Sequence, residues 1–275
     1  MSNDSFCSGK YTIASITPTI CKLMEIKKPD ISEALEINEV IELAKKTVNS
    51  KIDKCLVYAP DGIGLNFYNK YKEKFQPVEE YSTYDIDLCS IFPPKTPVCF
   101  ASMFTGAMPD VHGIKEYMKP ILKCETLFDA FVKADKKVAI ITVRNSSIDI
   151  IFQERKIDYY SEEYDPEVIL RAMECLVEDD YDLIVIYQQE YDDALHKTSP
   201  ESEEALKAVD NHIFQFTKIA KLAEKVWEKY NRLVIFTPDH GAHFDQEKGV
   251  GVHGENIPDD MLVKHFFTIK QGNIE

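Results

Sequence analysis

No stretch of this 275-residue sequence approaches the roughly 18 consecutive apolar residues that a membrane-spanning helix needs. The opening residues, Met1-Ser2-Asn3-Asp4-Ser5, lack the basic-then-apolar order of a secretory signal. Positive charge is scarce: 32 Lys and Arg stand against 47 Asp and Glu, a formal net charge of −15. With no dense Lys/Arg stripe to offset it, such an exterior repels a polyanion and argues against a nucleic-acid-binding surface. A small phosphorylated substrate stays compatible, because cations bound in a cleft invert the local field. The cysteines, Cys7, Cys21, Cys55, Cys89, Cys99, Cys124 and Cys175, are odd in number and form no CxxC pair or zinc-finger spacing, so they read as reduced thiols. Together these absences describe a soluble, cytoplasmic protein with no membrane partner. They set no oligomeric state.

What is present is an ordinary globular composition, 44% apolar, on a chain long enough to bury a substantial core. Helical spacing of Ile37, Val40, Ile41, Leu43 and Ala44 predicts a helix over 36–48, and further helices are expected over 65–71, 126–134, 166–177 and 200–230. Short apolar runs at 55–59, 137–143, 181–187 and 233–236 read as buried strands, with a peripheral strand in 147–160 and irregular chain over 76–95. Strands alternating with helical segments imply an α/β fold, a mostly parallel central sheet flanked by helices on both faces. No repeat, low-complexity tract or linker divides it, so one domain over 1–275 is expected, with 144–180 the source of any small cap.

Three of these strands end in acidic residues. Leu233–Phe236 runs into Asp239-His240, the strand at 181–187 runs into Asp192-Asp193 with His196 four residues on, and Cys55–Ala59 ends at Pro60-Asp61-Gly62. In open α/β sheets, ligands bind at such strand ends. Taken alone, Asp61 reads as well as an N-cap for the following helix, and His196 as a surface histidine. Three strand ends of one sheet could bring these groups to a shared edge, where two divalent ions need carboxylates and imidazoles of this kind. Thr96-Pro97 opens an apolar helix that closes at Gly106. A Thr there is either an N-cap or a group held where free amides favour an anion.

The ordered set Asp61-Gly62, Thr96, Thr105-Gly106, Pro109, His112-Gly113-Ile114, Asp192 with His196, Asp239-His240-Gly241 and His253-Gly254 resembles the nucleotide pyrophosphatase/phosphodiesterase branch of the alkaline phosphatase superfamily. The resemblance spans roughly residues 56–254. It implies two divalent ions, usually zinc, with manganese the alternative: one on Asp192, His196 and His253, the other on Asp61, Asp239, His240 and the Thr96 hydroxyl. It also implies that Thr96 attacks phosphorus and forms a phospho-threonine, later hydrolysed by water. Two departures bear on substrate. Pro97-Val98-Cys99 stand where that branch has Phe-Pro-Asn after its Thr, and Tyr117, with Lys115 nearby, stands where it has a phosphoryl-binding Asn. A lysine there would favour a more highly charged monoester. The interval from His240 to His253 is short, which implies a minimal version with an open site. Of the other histidines, His112 fits a turn motif, His243 a neighbour of the site, and His212 and His265 structural or exposed positions. The implied activity is hydrolysis of a phosphate ester, diester or nucleotide-like pyrophosphate. The alternatives are a phosphomonoesterase, a sulfate or phosphonate hydrolase or a phosphomutase on the same metal cradle, or a catalytically silent metal-binding protein. No Cys/Ser-x-Pro-x-Arg motif of a sulfatase is present, and no large extra domain of a mutase is evident.

Overall fold

The apolar runs pair into one sheet. A computed structural model describes residues 5–273, and its strands are β1 (Lys54–Pro60), β2 (Tyr84–Cys89), β3 (Val138–Val143), β4 (Asp158–Glu162), β5 (Leu183–Gln188), β6 (Arg232–Phe236), β7 (His243–Asp245), β8 (Val250–Val252) and β9 (Leu262–Lys270). Seven of them form a sheet in the order β2-β9-β6-β1-β5-β3-β4, while β7 and β8 make a separate hairpin. From β6 to β4 every pairing is parallel, and only β9 runs antiparallel, against both β6 and β2. The inner strands β1, β3, β5 and β6 are buried along their whole length. That is why they read as unbroken apolar runs: helices cover both faces.

Alternate residues of β1 feed two cores. Cys55, Val57 and Ala59 pack with helices Ile16–Leu23, Asn38–Thr47, Thr96–Thr105 and Leu127–Lys133. Leu56 and Tyr58 face helices Leu65–Lys70, Gln76–Tyr81, Asp165–Glu178 and Glu203–Val226. The order β6-β1-β5 makes neighbours of the three strands whose carboxyl ends carry the acidic residues, although roughly 180 residues separate the first from the last in sequence.

Several expectations change. Residues 76–95 are not irregular; they hold the helix Gln76–Tyr81 and edge strand β2, whose exposed Asp85 and Asp87 alternate with more buried Ile86 and Leu88 as one solvated face requires. The stretch read as a peripheral strand begins as a helix, Ser147–Ile151, because the Ser146 hydroxyl accepts the Asp149 N–H and caps it; the strand itself, β4, starts later. Within 144–180, β4 pairs with β3 and helix Asp165–Glu178 packs on β3 and β5. The reading of all cysteines as reduced thiols is corrected: Cys7 and Cys89 form a disulfide, Cα–Cα 5.6 Å. The partners are 82 residues apart, and only the pairing of the N-terminal segment beside β2 brings them together. Cys21, Cys55, Cys99 and Cys175 are free and buried, and Cys124 is half-buried.

Candidate active site

Each of the acidic strand ends turns inward. Asp61 follows β1 directly, and Gly62 at φ 83° bends the chain in a conformation open to glycine at little cost. A side chain there would also press on Asp192, since a Cβ would lie 3.2 Å from its Oδ1. The helix after Asp61 is capped at Gly64 without side-chain help, so the capping alternative for Asp61 does not hold. Asp192 and His196 lie four residues apart on the helix Glu190–Lys197 that follows β5. Asp239 and His240 follow β6, and Gly241 lets the loop pass against Gly64 and the Asp259 carbonyl, where a Cβ would clash. The short interval to His253 is taken up by the β7–β8 hairpin. Thr96 is the first residue of the helix Thr96–Thr105, with Lys95 in the capping position. Its hydroxyl therefore does not cap; it lies 3.3 Å from Asp61 Oδ2 and 3.4 Å from His240 Nε2.

The geometry leaves lone pairs facing one another. His196, His240 and His253 place Nδ1 against the backbone carbonyls of Gly251, Gly241 and Pro94, at 2.9, 3.1 and 2.7 Å. An imidazole that donates Nδ1–H to a carbonyl presents an unprotonated Nε2 when neutral. Those Nε2 atoms point at carboxylates: His240 lies 3.3 Å from both Asp61 Oδ1 and Asp239 Oδ2, His196 3.3 Å from Asp192 Oδ2, and His253 3.6 Å from Asp192 Oδ1. One oxygen of each carboxylate, Asp61 Oδ1, Asp192 Oδ1 and Asp239 Oδ2, is buried with no hydrogen-bond donor. The other oxygen of Asp61 accepts from the Tyr187 hydroxyl as well as from Thr96, and Asp239 Oδ1 accepts the Gly62 N–H at 3.3 Å. Native proteins rarely leave buried carboxylate oxygens orphaned. Three in one cluster, with imidazole lone pairs aimed at them, fit divalent cations.

Electrostatics agree. Burial and the neighbouring charges of Asp239 and Asp192 push Asp61 well above the usual carboxylate range. Burial likewise takes Asp239 up to about 8. Although burial opposes its charge, the imidazoles of His196, His253 and His240 hold Asp192 down to about 2. Burial drives His240 well below the ordinary histidine value and lowers His253, so both stay neutral and ready to ligate.

Among the described residues, two groups have ligand atoms mutually within 4.8 Å: Asp61, Asp239 and His240; and Asp192, His240 and His253. The first holds the protein groups expected around one ion. In the second, His240 stands where His196 was expected, and His196 contacts Asp192 from a half-exposed position.

A cavity of about 320 Å³ opens on Asp61, Thr96, Asp192, His196 and His253 and is also lined by Lys95, Tyr117, Lys119, Arg144, Tyr187 and Asp193. Tyr117 is where the sequence reading put a substrate-facing group. Lys115 does not line this cavity; its ammonium pairs with Asp110 at 2.6 Å, and Lys119 comes to the wall in its stead. Lys95, Tyr187, Lys119 and Arg144 were not singled out from sequence, because a lysine before the Thr, a tyrosine inside an apolar strand and two loop cations carry no local pattern. Asp193 accepts from the Tyr164 hydroxyl at 2.8 Å. His243 binds Asp260 at 2.7 Å, and Asp260 in turn accepts the Gly254 and Glu255 N–H groups at 2.8 Å, pinning the turn after His253. His112 meets Ser102 at 2.8 Å, and the fully buried His212 and His265 bond to backbone, the Tyr191 N–H and the Pro238 carbonyl, just before Asp192 and Asp239.

A family model described as type I phosphodiesterase / nucleotide pyrophosphatase matches residues 78–267, more than half of the chain. No curated protein matches. Among solved structures, murine ectonucleotide pyrophosphatase / phosphodiesterase 5, an inactive form in complex with AMP, aligns with TM-score 0.58 and 17% identity over 71% of this chain and 59% of that one. Phosphonoacetate hydrolase from Sinorhizobium meliloti, in complex with phosphonoformate, aligns with TM-score 0.53 and 17% identity over 74% and 62%. The C-terminal periplasmic domain of the phosphoethanolamine transferase of Campylobacter jejuni aligns with TM-score 0.54 and 17% identity over 82% of both chains. At such identity these likenesses establish the fold, and the chain spans about three fifths of the length of the first two.

Proposed function

The chain belongs to the type I phosphodiesterase / nucleotide pyrophosphatase family of the alkaline phosphatase superfamily, and on that premise we propose that it is a metal-dependent hydrolase of phosphate esters with Thr96 as nucleophile. The observation that carries this reading is the set of three buried, donorless carboxylate oxygens in one cluster with the imidazoles, beside which the Thr96 hydroxyl contacts Asp61 and His240. Asp61, Asp239, His240 and Thr96 would hold one divalent ion, and Asp192 and His253, with His196, the other. Such ions, zinc or else manganese, supply charge that lowers the pKa of a coordinated hydroxyl and neutralises a phosphoryl group.

The chain's own residues do the rest. Tyr187 fixes one Asp61 oxygen, and that oxygen orients the Thr96 hydroxyl. Thr96 sits at the amino end of a ten-residue helix, where the dipole favours the negative charge that develops on its oxygen. Thr96 Oγ1 bonds to phosphorus as the bond to the leaving oxygen breaks, and water then hydrolyses the phospho-threonine and restores the hydroxyl. The relatives named for AMP and phosphonoformate complexes support phosphoester and phosphonate chemistry as the range to screen. No helix among the described residues is long and apolar enough to cross a membrane. The Cys7–Cys89 pair fits an oxidising compartment, so the cytoplasmic placement loses the support that reduced thiols lent it.

Thr96→Ala tests the nucleophile. Turnover of aryl phosphate mono- and diesters is expected to fall by about a thousandfold or more, with metal content and fold retained. Undiminished hydrolysis by the variant would remove Thr96 from this role.

A further inference from the structure

The protein is strongly acidic, yet three cations line the cavity at the candidate site. Among the described residues none of them has a carboxylate partner. Lys95 Nζ donates to the His253 carbonyl at 2.5 Å, Lys119 Nζ to the Asn145 carbonyl at 2.9 Å, and Arg144 Nη2 to the Ser161 carbonyl at 3.2 Å. In a chain with so many surplus carboxylates, many of its lysines and arginines are ion-paired. Cations satisfied only by carbonyls keep most of their charge free for an anion.

Lys119 and Arg144 also occupy a defined place. Arg144 follows β3, one strand beyond the β6-β1-β5 trio that carries the aspartates, so its charge enters the cleft from the side next to β5. The turn that presents it is fixed: Arg144 N–H donates to the Glu162 carbonyl at 2.8 Å, Asn145 adopts φ 62°, and the buried Asp149 accepts the Asn145 N–H at 2.8 Å. Lys119 is tied to the same turn and lies 5.7 Å above the ring of Tyr117. Apart from that ring, the carboxylates and imidazoles of the candidate metal cluster, and Asp193, which accepts from Tyr164, the wall offers hydroxyl, amide and cationic groups and, among the described residues, no pair of open aromatic faces for a base; the hydroxyl of Tyr187 is engaged by Asp61.

We propose that Lys119 and Arg144 form a receptor for a second acidic group of the substrate, and that the substrate class is a compact phosphate ester carrying a carboxylate or a further phosphate beside the phosphoryl group presented to Thr96. This rests on the phosphoester-hydrolase reading, and it assigns Lys119 and Arg144 to specificity, with Lys95 nearer the phosphoryl end at the His253 carbonyl. A nucleotide diester with one charge per phosphate leaves the Lys119–Arg144 pair without a counterpart.

The test compares phosphoglycolate with ethyl phosphate, which lacks the second acid. One arm measures kcat/KM of the zinc-loaded wild-type protein and of the double variant Lys119→Ala/Arg144→Ala. The other measures calorimetric binding of both compounds to zinc-loaded Thr96→Ala protein with and without the double substitution. Phosphoglycolate is expected to be preferred by about tenfold to a hundredfold in both arms, as charge-assisted hydrogen bonds to two cations imply. The preference is expected to fall near parity in the double variant, and in the wild-type protein to shrink as salt is added. A binding preference without turnover of either compound would uphold the acid receptor and overturn the hydrolase reading. Equal binding of the two compounds, or a preference that survives the double substitution, would overturn the receptor, while hydrolysis of ethyl phosphate would leave the hydrolase reading standing.

Discussion

Two clusters of buried polar groups lie on either side of the helix Glu190–Lys197, and they differ in one respect. Beneath its amino end Asp165 accepts the Gln189 and Glu190 N–H groups at 3.0 and 2.9 Å, the Tyr191 N–H reaches His212 Nε2 at 3.2 Å, and Gln188 bonds to Tyr58, Gln215 and the Asp165 carbonyl. Neither Asp165 nor His212 has an orphaned side-chain atom. On the helix's other side, Asp192 joins Asp61 and Asp239 in a group where each carboxylate leaves an oxygen unsatisfied. Burial alone therefore does not mark a functional site. The closed cluster fixes the helix, and the open one is shaped for something the polypeptide does not supply.

The comparison is sharpest in stability. Asp165→Ala leaves two helix-start N–H groups and His212 without their carboxylate neighbour, and a loss of about 2–4 kcal/mol is expected in urea denaturation. Asp239→Asn acts in the opposite sense on metal-free protein, because it removes an ionisable group from a crowded site where one of its oxygens has no donor; a gain of about 1–3 kcal/mol is expected. The pH dependence carries the same sign. Burial raises Asp239 to about 8 in the metal-free fold, against about 3.9 in an unfolded chain. Between these values the folded state holds the extra proton, so its stability falls as pH rises, and Asp239→Asn should flatten that slope. Destabilisation of the metal-free protein by Asp239→Asn would mean that the cluster is an ordinary structural network.

Much of this was legible from sequence because the fold writes its functional edge in a local code. Buried parallel strands appear as apolar runs, and the residue just past each run lands at the site; Asp61, Asp192, Asp239 and His240 were found that way. The family pattern added His253 and gave Thr96 and His196, already noted as ambiguous, their implied roles. What escaped was non-local. β9 continues past the last motif residue, and β2 alternates polar and apolar residues as an edge strand does, so neither advertised membership of a sheet. Cys7 finds Cys89 only through the tertiary path of the amino-terminal segment. Lys115 and Lys119 are equally plausible as cations next to Tyr117, and the choice is made by Asp110, which takes Lys115, and by the Asn145 carbonyl, which takes Lys119.

The central claim, that the open cluster is completed by divalent cations, is met most directly by titrating metal-free wild-type protein with zinc in a calorimeter while following its thermal unfolding. Binding of about two ions per chain is expected, with a rise in unfolding temperature that Asp239→Asn largely abolishes. A wild-type chain that takes up no zinc and unfolds at the same temperature with or without it would contradict the claim.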